Sequence, residues 1–324
     1  MVYAKRRRDD APLATLAAVV IVASLLAFHW FTPFSSKSLQ VCDGDCHSRS
    51  ALSGGSDREL ASTMTQDGEN AAPEITAKSA VVVDDACGDV IFAKEPHLRL
   101  SPASLTKIMT AIVALETADL DDLVDVNVDG FYYGDSTVMG LETGMQMSLR
   151  DLLYGLLLPS GNDAAVAIAR HVAGDLPAFV TRMNAKVRAL GLQDTHFTNP
   201  HGLDAPGHYS SAYDMAMLGR YAMTNPDLAE IVGTKVYDPG WDGPQLWNGN
   251  LLLWTYPGSD GVKIGWTENA RQTIVASAQR DGRRLFVALL GSEDRYTDAS
   301  VLLDWAFENS GAGSSRGDCA AGGS

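Results

Sequence analysis

Apolar residues in this chain of 324 residues change their period twice along its length, and that change limits the fold more than any other feature. At 79–84 and 89–93, and again at 273–278 and 285–290, they form short runs joined by Cys87-Gly88 and Asp281-Gly282. Short apolar runs closed by such turns read as strands of antiparallel hairpins. From residue 101 to about residue 225 the period lengthens: Leu105, Ile108, Met109, Ile112 and Val113 follow three- and four-residue steps, the spacing of a helix with one buried face. A last helix is expected near 298–307. Strands at both ends of a helical middle predict an α+β fold, an antiparallel β-sheet flanked by helices with an inserted helical lobe. The segment 74–309 is long enough for one substantial core.

The amino terminus is of another kind. Leu13 opens an almost unbroken apolar run to Phe31, interrupted mainly by Thr15, Ser24 and His29, and Lys5, Arg6, Arg7 and Arg8 precede it. A run of that length suits one transmembrane helix, and positive charge before it predicts an amino end in the cytoplasm with the rest of the chain outside. A cleaved signal peptide is the rival, although no Ala-x-Ala site follows the apolar core. The expected order is a basic cytoplasmic segment at 1–11, a membrane anchor at 12–31, and a stalk at 32–73 rich in Ser, Gly, Asp and Glu. A catalytic domain at 74–309 and a Gly- and Ser-rich tail at 310–324 follow, with no room in that tail for a separate carboxy-terminal domain. Some forty stalk residues span at most roughly 140 Å when extended.

Three short signatures lie in order within the globular part: Ser104-Leu105-Thr106-Lys107, Ser160-Gly161-Asn162 and Lys263-Ile264-Gly265. Each is weak alone, and each has a plain alternative: a lysine one turn from a capping serine, an ordinary turn, and a solvated lysine on an edge strand. Their settings favour chemistry. Ser101 and Pro102 fit an N-cap and first helical residue, so Ser104 and Lys107 sit three apart on one helix face, within reach of each other. A serine hydroxyl attacks a carbonyl only if a neighbouring base takes its proton. A lysine becomes such a base when burial, a nearby cation and the helix dipole lower its pKa. The second signature follows the apolar face Leu149, Leu152, Leu153, Leu156 and Leu157, which Pro159 ends, while Asp163 can cap a helix over 164–172. This is a tight interhelical loop able to present Ser160 and Asn162 into a cleft. The third lies on a strand beside the 273–290 hairpin, where Lys263 would stand at a sheet edge and Gly265 would let a ligand backbone approach.

With these residues the chain resembles the serine D-alanyl-D-alanine carboxypeptidases, the low-molecular-mass penicillin-binding proteins of the β-lactamase/transpeptidase-like superfamily. The resemblance also includes Pro102-Ala103, Asn162-Asp163-Ala164-Ala165, Asn199-Pro200-His201-Gly202-Leu203-Asp204, Tyr209-Ser210-Ser211-Ala212-Tyr213-Asp214, and Leu290-Gly291-Ser292 with Arg295, and it covers roughly 75–308. It implies that Ser104 attacks the carbonyl between the terminal D-alanines of a peptidoglycan stem peptide, with Lys107 as base. Ser160 would relay a proton to the leaving amine and Asn162 would hold Lys107 or the substrate amide. Lys263 would supply positive potential, and the backbone N–H groups of Ser104 and Trp266 would form the oxyanion hole. Peptidoglycan stem peptides are then the partners, and β-lactam antibiotics would acylate the same serine.

One residue departs from the family pattern. Lys-Thr-Gly is expected at the third signature, and Ile264 replaces the threonine whose hydroxyl helps to bind the substrate carboxylate. Losing a hydrogen bond to a charged group costs about 1.5–3 kcal/mol, ten- to a hundredfold in binding. Arg271 or Arg295 could hold the carboxylate instead, or the substrate could lack one there, as for an endopeptidase. A β-lactamase is a further alternative, but no Glu-x-x-Leu-Asn loop occurs in the middle of the chain. A wall-binding module without activity has only Ile264 in its favour.

Other classes fit poorly. A formal charge of −15 argues against nucleic acid, and no phosphate loop or dinucleotide fingerprint implies a cofactor. No metal site is expected: Cys42, Cys46 and His47 lack a fourth ligand, and His171, His196, His201 and His208 have no chelating spacing, reading as structural or surface residues. Cys42 and Cys46 could pair locally, and Cys87 either pairs with Cys319 or stays free.

Overall fold

The computed structural model describes residues 71–131, 136–241 and 243–309. The cytoplasmic segment, the anchor, nearly all of the stalk and the tail lie outside the described residues. No helix among the described residues is long and apolar enough to cross a membrane.

Strand β1 (Ser79–Asp84) is buried along its whole length because both faces of its sheet are covered, which is why Val81, Val82 and Val83 succeed one another without a polar break. It pairs antiparallel with β2 (Val90–Lys94). The chain then leaves the sheet for a 3-10 turn, Ala103–Leu105, and the helix α1 (Thr106–Leu115). The lobe continues with the small hairpin β3 (Leu123–Asp125) and β4 (Gln146–Ser148), then α2 (Leu149–Leu157), α3 (Asn162–Ala173), α4 (Leu176–Ala189), α5 (Ala212–Ala222) and α6 (Pro226–Gly233). A second small hairpin, β5 (Val236–Tyr237) and β6 (Leu246–Trp247), and the short helix α7 (Leu252–Thr255) lead back to the sheet. There β7 (Ser259–Thr267), β8 (Arg271–Arg280) and β9 (Arg283–Ser292) form a meander, and α8 (Arg295–Asn309) closes the domain. The sheet order is β2-β1-β9-β8-β7, so β7 is an edge.

Alternation along the strands divides the apolar side chains between two cores. Val81, Val83, Val275, Phe286 and Ala288 pack against the lobe, around Leu105, Met109, Leu152 and Ile168. Ala80, Val82, Ile274, Leu285 and Val287 face the other way, onto Leu302 and Leu303 of α8. Burying each such valine or leucine contributes about 1.5–3 kcal/mol. Side chains of Ser148, Asp175, Ser211 and Asn225 cap α2, α4, α5 and α6 by accepting from backbone N–H groups three residues on.

Two expected caps are absent. Ser101 does not cap α1: its hydroxyl donates to Asp204 Oδ1 at 2.7 Å, and the nucleophile segment is a 3-10 turn entered from Pro102. Asp163 lies inside the first turn of α3, behind an N-cap at Gly161, and its carboxylate accepts from the N–H groups of Met139, Gly140 and Leu141 as well as Ala164. In both cases a distant partner outcompetes the local cap. Cys87, in the β1–β2 turn, is disulfide-bonded, which removes the free-thiol alternative. Cys42, Cys46 and Cys319 lie outside the described residues.

Candidate active site

All three signatures meet at one cleft of about 660 Å³ between the lobe and the edge strand β7. Ser104, Ser160, Asn162, Lys263, Ile264, Gly265 and Trp266 line it, together with Arg295. Lys107 lies directly beneath, fully buried on the first turn of α1.

Lys107 Nζ has three oxygens around it: Ser104 Oγ at 2.9 Å, Asn162 Oδ1 at 2.5 Å and the carbonyl oxygen of His201 at 2.6 Å. Burial lowers its pKa well below that of an ordinary lysine, the Lys263 charge adds to this, and Asp163 opposes it in part. A neutral amine has two hydrogens and one lone pair. Asn162 and His201 accept the two hydrogens, so the lone pair is left for the Ser104 hydroxyl. The site therefore holds a serine whose proton has somewhere to go.

Two glycines fix the nucleophile turn. Gly265 of β7 leaves no space for a Cβ, which would sit 2.8 Å from Ser104 N, 3.0 Å from Ala103 Cβ and 2.6 Å from Thr273 Oγ1. The room expected for a ligand backbone is instead taken by the nucleophile's own backbone. From the lobe side, Gly202 at φ +90° would bring a Cβ to 2.0 Å from the Ala103 carbonyl oxygen. Ala103 itself has φ +51°, a left-handed conformation that costs a non-glycine residue about 1–3 kcal/mol and is held by its surroundings. Thr273 adds a hydrogen bond to the Pro102 carbonyl at 3.1 Å.

Ser160 stands in the loop after α2, at φ +70°. Its carbonyl accepts from Thr137 Oγ1 at 2.8 Å, which holds the loop, while its hydroxyl is buried and has no hydrogen-bond partner among the described residues. Buried polar atoms nearly always have partners, so an orphan hydroxyl on a cleft wall is a group waiting for one.

Lys263 is buried, contrary to the solvated edge lysine that a strand edge alone would suggest, because the lobe covers this edge. Desolvation and the Arg295 charge lower its pKa to about 7. Its Nζ donates to the carbonyl of Ile264 at 3.1 Å. Arg295, at the start of α8, donates to the carbonyls of Gly265 at 2.6 Å and Thr273 at 3.1 Å and to Gln272 Oε1 at 2.9 Å. The acceptors of both cations are neutral oxygens, so their charge remains available to an anion in the cleft. Arg271, the other candidate for a carboxylate, is exposed beyond the end of the cleft lining.

Ile264 faces the cleft and packs against the outer core, with Cδ1 3.3 Å from the position a Cβ on Gly249 would take. Trp266 is exposed at the mouth. Because β7 is an edge, alternate backbone N–H groups along it have no strand partner and are free to face the cleft.

Sequence reasoning did not single out several contributors. His201 acts through its backbone carbonyl and Gly202 through its lack of a side chain, and both lie in a segment quoted above only as a resemblance. The imidazole of His208 shares a hydrogen bond of 2.8 Å with Thr106 beside the nucleophile turn, and burial lowers its pKa to about 4.

A family profile for D-alanyl-D-alanine carboxypeptidase matches residues 66–294. The chain is 37% identical over 242 residues to D-alanyl-D-alanine carboxypeptidase DacF of Bacillus subtilis, a match covering 71% of this chain and 62% of that protein. It thus spans less than two thirds of that relative's length. The solved structure of the D-alanyl-D-alanine carboxypeptidase from Mycobacterium tuberculosis is similar at a TM-score of 0.68 and 35% identity, over 73% of this chain and 93% of that one. A mutant of the Streptomyces K15 DD-transpeptidase matches with a TM-score of 0.69 at 30% identity, over 73% of this chain and 99% of that one. With a family profile that matches residues 66–294 and relatives similar over nearly three quarters of its length, the chain belongs to the D-alanyl-D-alanine carboxypeptidase family.

Proposed function

We propose that this protein is a serine D,D-carboxypeptidase that trims the D-alanyl-D-alanine end of peptidoglycan stem peptides through an acyl-enzyme. The observation that carries this reading is the buried Lys107 amine, held by Asn162 and His201 with its remaining valence toward Ser104 Oγ.

Ser104 Oγ attacks the carbonyl carbon and passes its proton to the neutral Lys107. The carbonyl oxygen becomes an oxyanion, which the N–H groups of Ser104 and Trp266 stabilise by hydrogen bonding. Ser160, the orphan hydroxyl, accepts a proton from Lys107 as it gives its own to the departing D-alanine amine. The carbon–nitrogen bond then breaks, leaving the shortened peptide esterified to Ser104. Water, deprotonated by Lys107, hydrolyses that ester and restores the site. Lys263 and Arg295 attract the terminal carboxylate, which offsets the hydroxyl missing at Ile264. A β-lactam, a cyclic amide with a carboxylate, follows the same route as far as the acyl-enzyme.

The decisive experiment is labelling with a fluorescent penicillin together with release of D-alanine from a pentapeptide. Both are expected in the native chain and absent in Ser104→Ala. Labelling that survives in Ser104→Ala would sink the assignment. Rapid turnover of the penicillin would instead indicate a β-lactamase, and separation of cross-linked peptides without release of D-alanine from the pentapeptide an endopeptidase.

The basic residues Lys5 to Arg8 and the apolar run after them support a retained anchor at 12–31, with the domain at 74–309 carried outside the membrane on the stalk. The full chain is then expected to leave membranes with detergent and not with alkaline carbonate. Release by carbonate would argue for a cleaved segment.

A further inference from the structure

Three tryptophans are exposed where the cleft opens. Trp247 and Trp266, 58% and 59% exposed, both line it, and Trp254, 44% exposed, lies beside Trp247 with ring centroids 6.0 Å apart and planes 17° from parallel. Indoles are among the side chains that gain most from leaving water, so a parallel exposed pair calls for a ligand that covers it.

The mount of this pair is rigid. Asn248 Nδ2 donates to the carbonyls of Val232 at 3.2 Å and Thr234 at 3.0 Å, and Asn250 Nδ2 donates to that of Gly261 at 3.2 Å. From α8 the Tyr296 hydroxyl donates to the Gly249 carbonyl at 2.9 Å. Lys235 Nζ stands 5.2 Å from the centre of the Trp254 ring and steadies it. These contacts hold the two rings out from the surface as a preformed platform.

We propose that Trp247 and Trp254 form a sugar-stacking subsite for the glycan strand that carries the stem peptide. The inference rests on the peptidoglycan reading above. A pyranose ring presents a flat face of C–H groups to an indole and leaves its hydroxyl and N-acetyl groups at the edge for polar partners. The cleft mouth offers such partners in Thr267, Glu268 and Asn269. Trp247 belongs to the cleft and to the stack at once, so the platform continues the peptide site. Four stem residues separate the scissile bond from the sugar, on the order of 14 Å of extended chain, so a platform that continues the cleft is where that sugar would be met. An anionic lipid surface fits less well, since Asp204 and Glu268 flank the opening and the chain carries a net charge of −15.

The test uses the full chain in detergent. Chitohexaose, a β-1,4-linked N-acetylglucosamine oligomer without peptide, should change the tryptophan fluorescence saturably, and Trp254→Ala should weaken that binding about five- to tenfold. Trp254→Phe, which keeps a ring, should retain most of it. In kinetics, a disaccharide-bearing stem peptide should have a KM at least about fivefold below that of the free pentapeptide, and Trp254→Ala should remove that advantage at unchanged kcat. Penicillin labelling of the same samples reports both folding and acyl transfer. Normal labelling with equal KM values for the two substrates in the native chain would overturn the sugar subsite and leave the acyl-transfer reading standing. Loss of labelling in every sample would overturn that reading instead. A dimer that Trp254→Ala dissociates, or quenching by brominated lipid that Trp254→Ala abolishes, would assign the platform to a second copy or to the membrane and overturn the proposal.

Discussion

The lobe side and the sheet side of the cleft each contribute a buried lysine, and the two amines are treated in opposite ways. Lys107, on α1, is ringed by a hydroxyl, an amide oxygen and a carbonyl, so every direction its nitrogen can use is filled. Lys263, on β7, has its neighbour's carbonyl and otherwise faces the cleft beside a buried arginine. Burial alone penalises the charge on both. What separates them is what remains after the neighbours are counted: a lone pair pointed at a hydroxyl in the first case, spare N–H groups on the cleft wall in the second. A buried lysine is thus made a base or an anion receptor by the number and kind of oxygens around it.

Replacing the lysines one at a time should separate these roles. In Lys107→Ala the acylation rate with penicillin is expected to fall about 10²- to 10⁴-fold, the range for loss of a positioned base. A fall of less than tenfold in stopped-flow labelling would mean that another group takes the proton. Lys263→Ala should cost about ten- to a hundredfold, concentrated in KM for a carboxylate-bearing substrate, as expected for a lost charged hydrogen bond. Thermal stability should not drop in that variant, because a desolvated cation without a carboxylate partner costs the fold more than it returns. A loss confined to kcat would contradict the receptor role.

Smaller changes sharpen the picture. Ile264→Thr restores a donor near the carboxylate and should raise D-alanine release about tenfold, with a modest cost in melting temperature from the lost contact with the outer core. An unchanged or lower rate would show that Arg295 has made the hydroxyl unnecessary. The pH dependence should be the mildest effect. Lys263 carries its charge below a pKa of about 7 and loses it above, so affinity for an anionic substrate should weaken several-fold between pH 7 and 9. Rising pH acts the other way on Lys107, which must be neutral to accept a proton, and gives an ascending limb. In Lys263→Ala the descending limb should vanish while the ascending one stays.

Much of this arrangement is legible in the chain. The helical stripe of α1 and the hairpin of β8 and β9 follow from the spacing of apolar residues, because burial on one face or two imposes a period. The three-residue spacing of Ser104 and Lys107 likewise brings their side chains together, at 2.9 Å, across the 3-10 turn and the first turn of α1. The errors come from groups whose partners are far away in the chain. Ser101 has the chemistry of a cap, yet Asp204 is a better acceptor for its hydroxyl. Asp163 reads as a cap and instead ties 139–141 to α3. The solvated alternative for Lys263 is removed only when the lobe that covers the edge of β7 is in place. The carbonyl of His201 leaves no signal at all, since any residue would supply one.

Gly265 and Ile264 are neighbours on one strand, yet they answer to different demands. The glycine is held in place by the nucleophile's backbone, so any larger residue there must displace Ser104 before a substrate is ever met. The isoleucine lines the cleft and packs against the outer core. On the proposed function, selectivity for the end of the peptide can therefore be retuned at one position while the chemistry next door stays untouched, which would give this scaffold a way to change its diet without relearning how to cut.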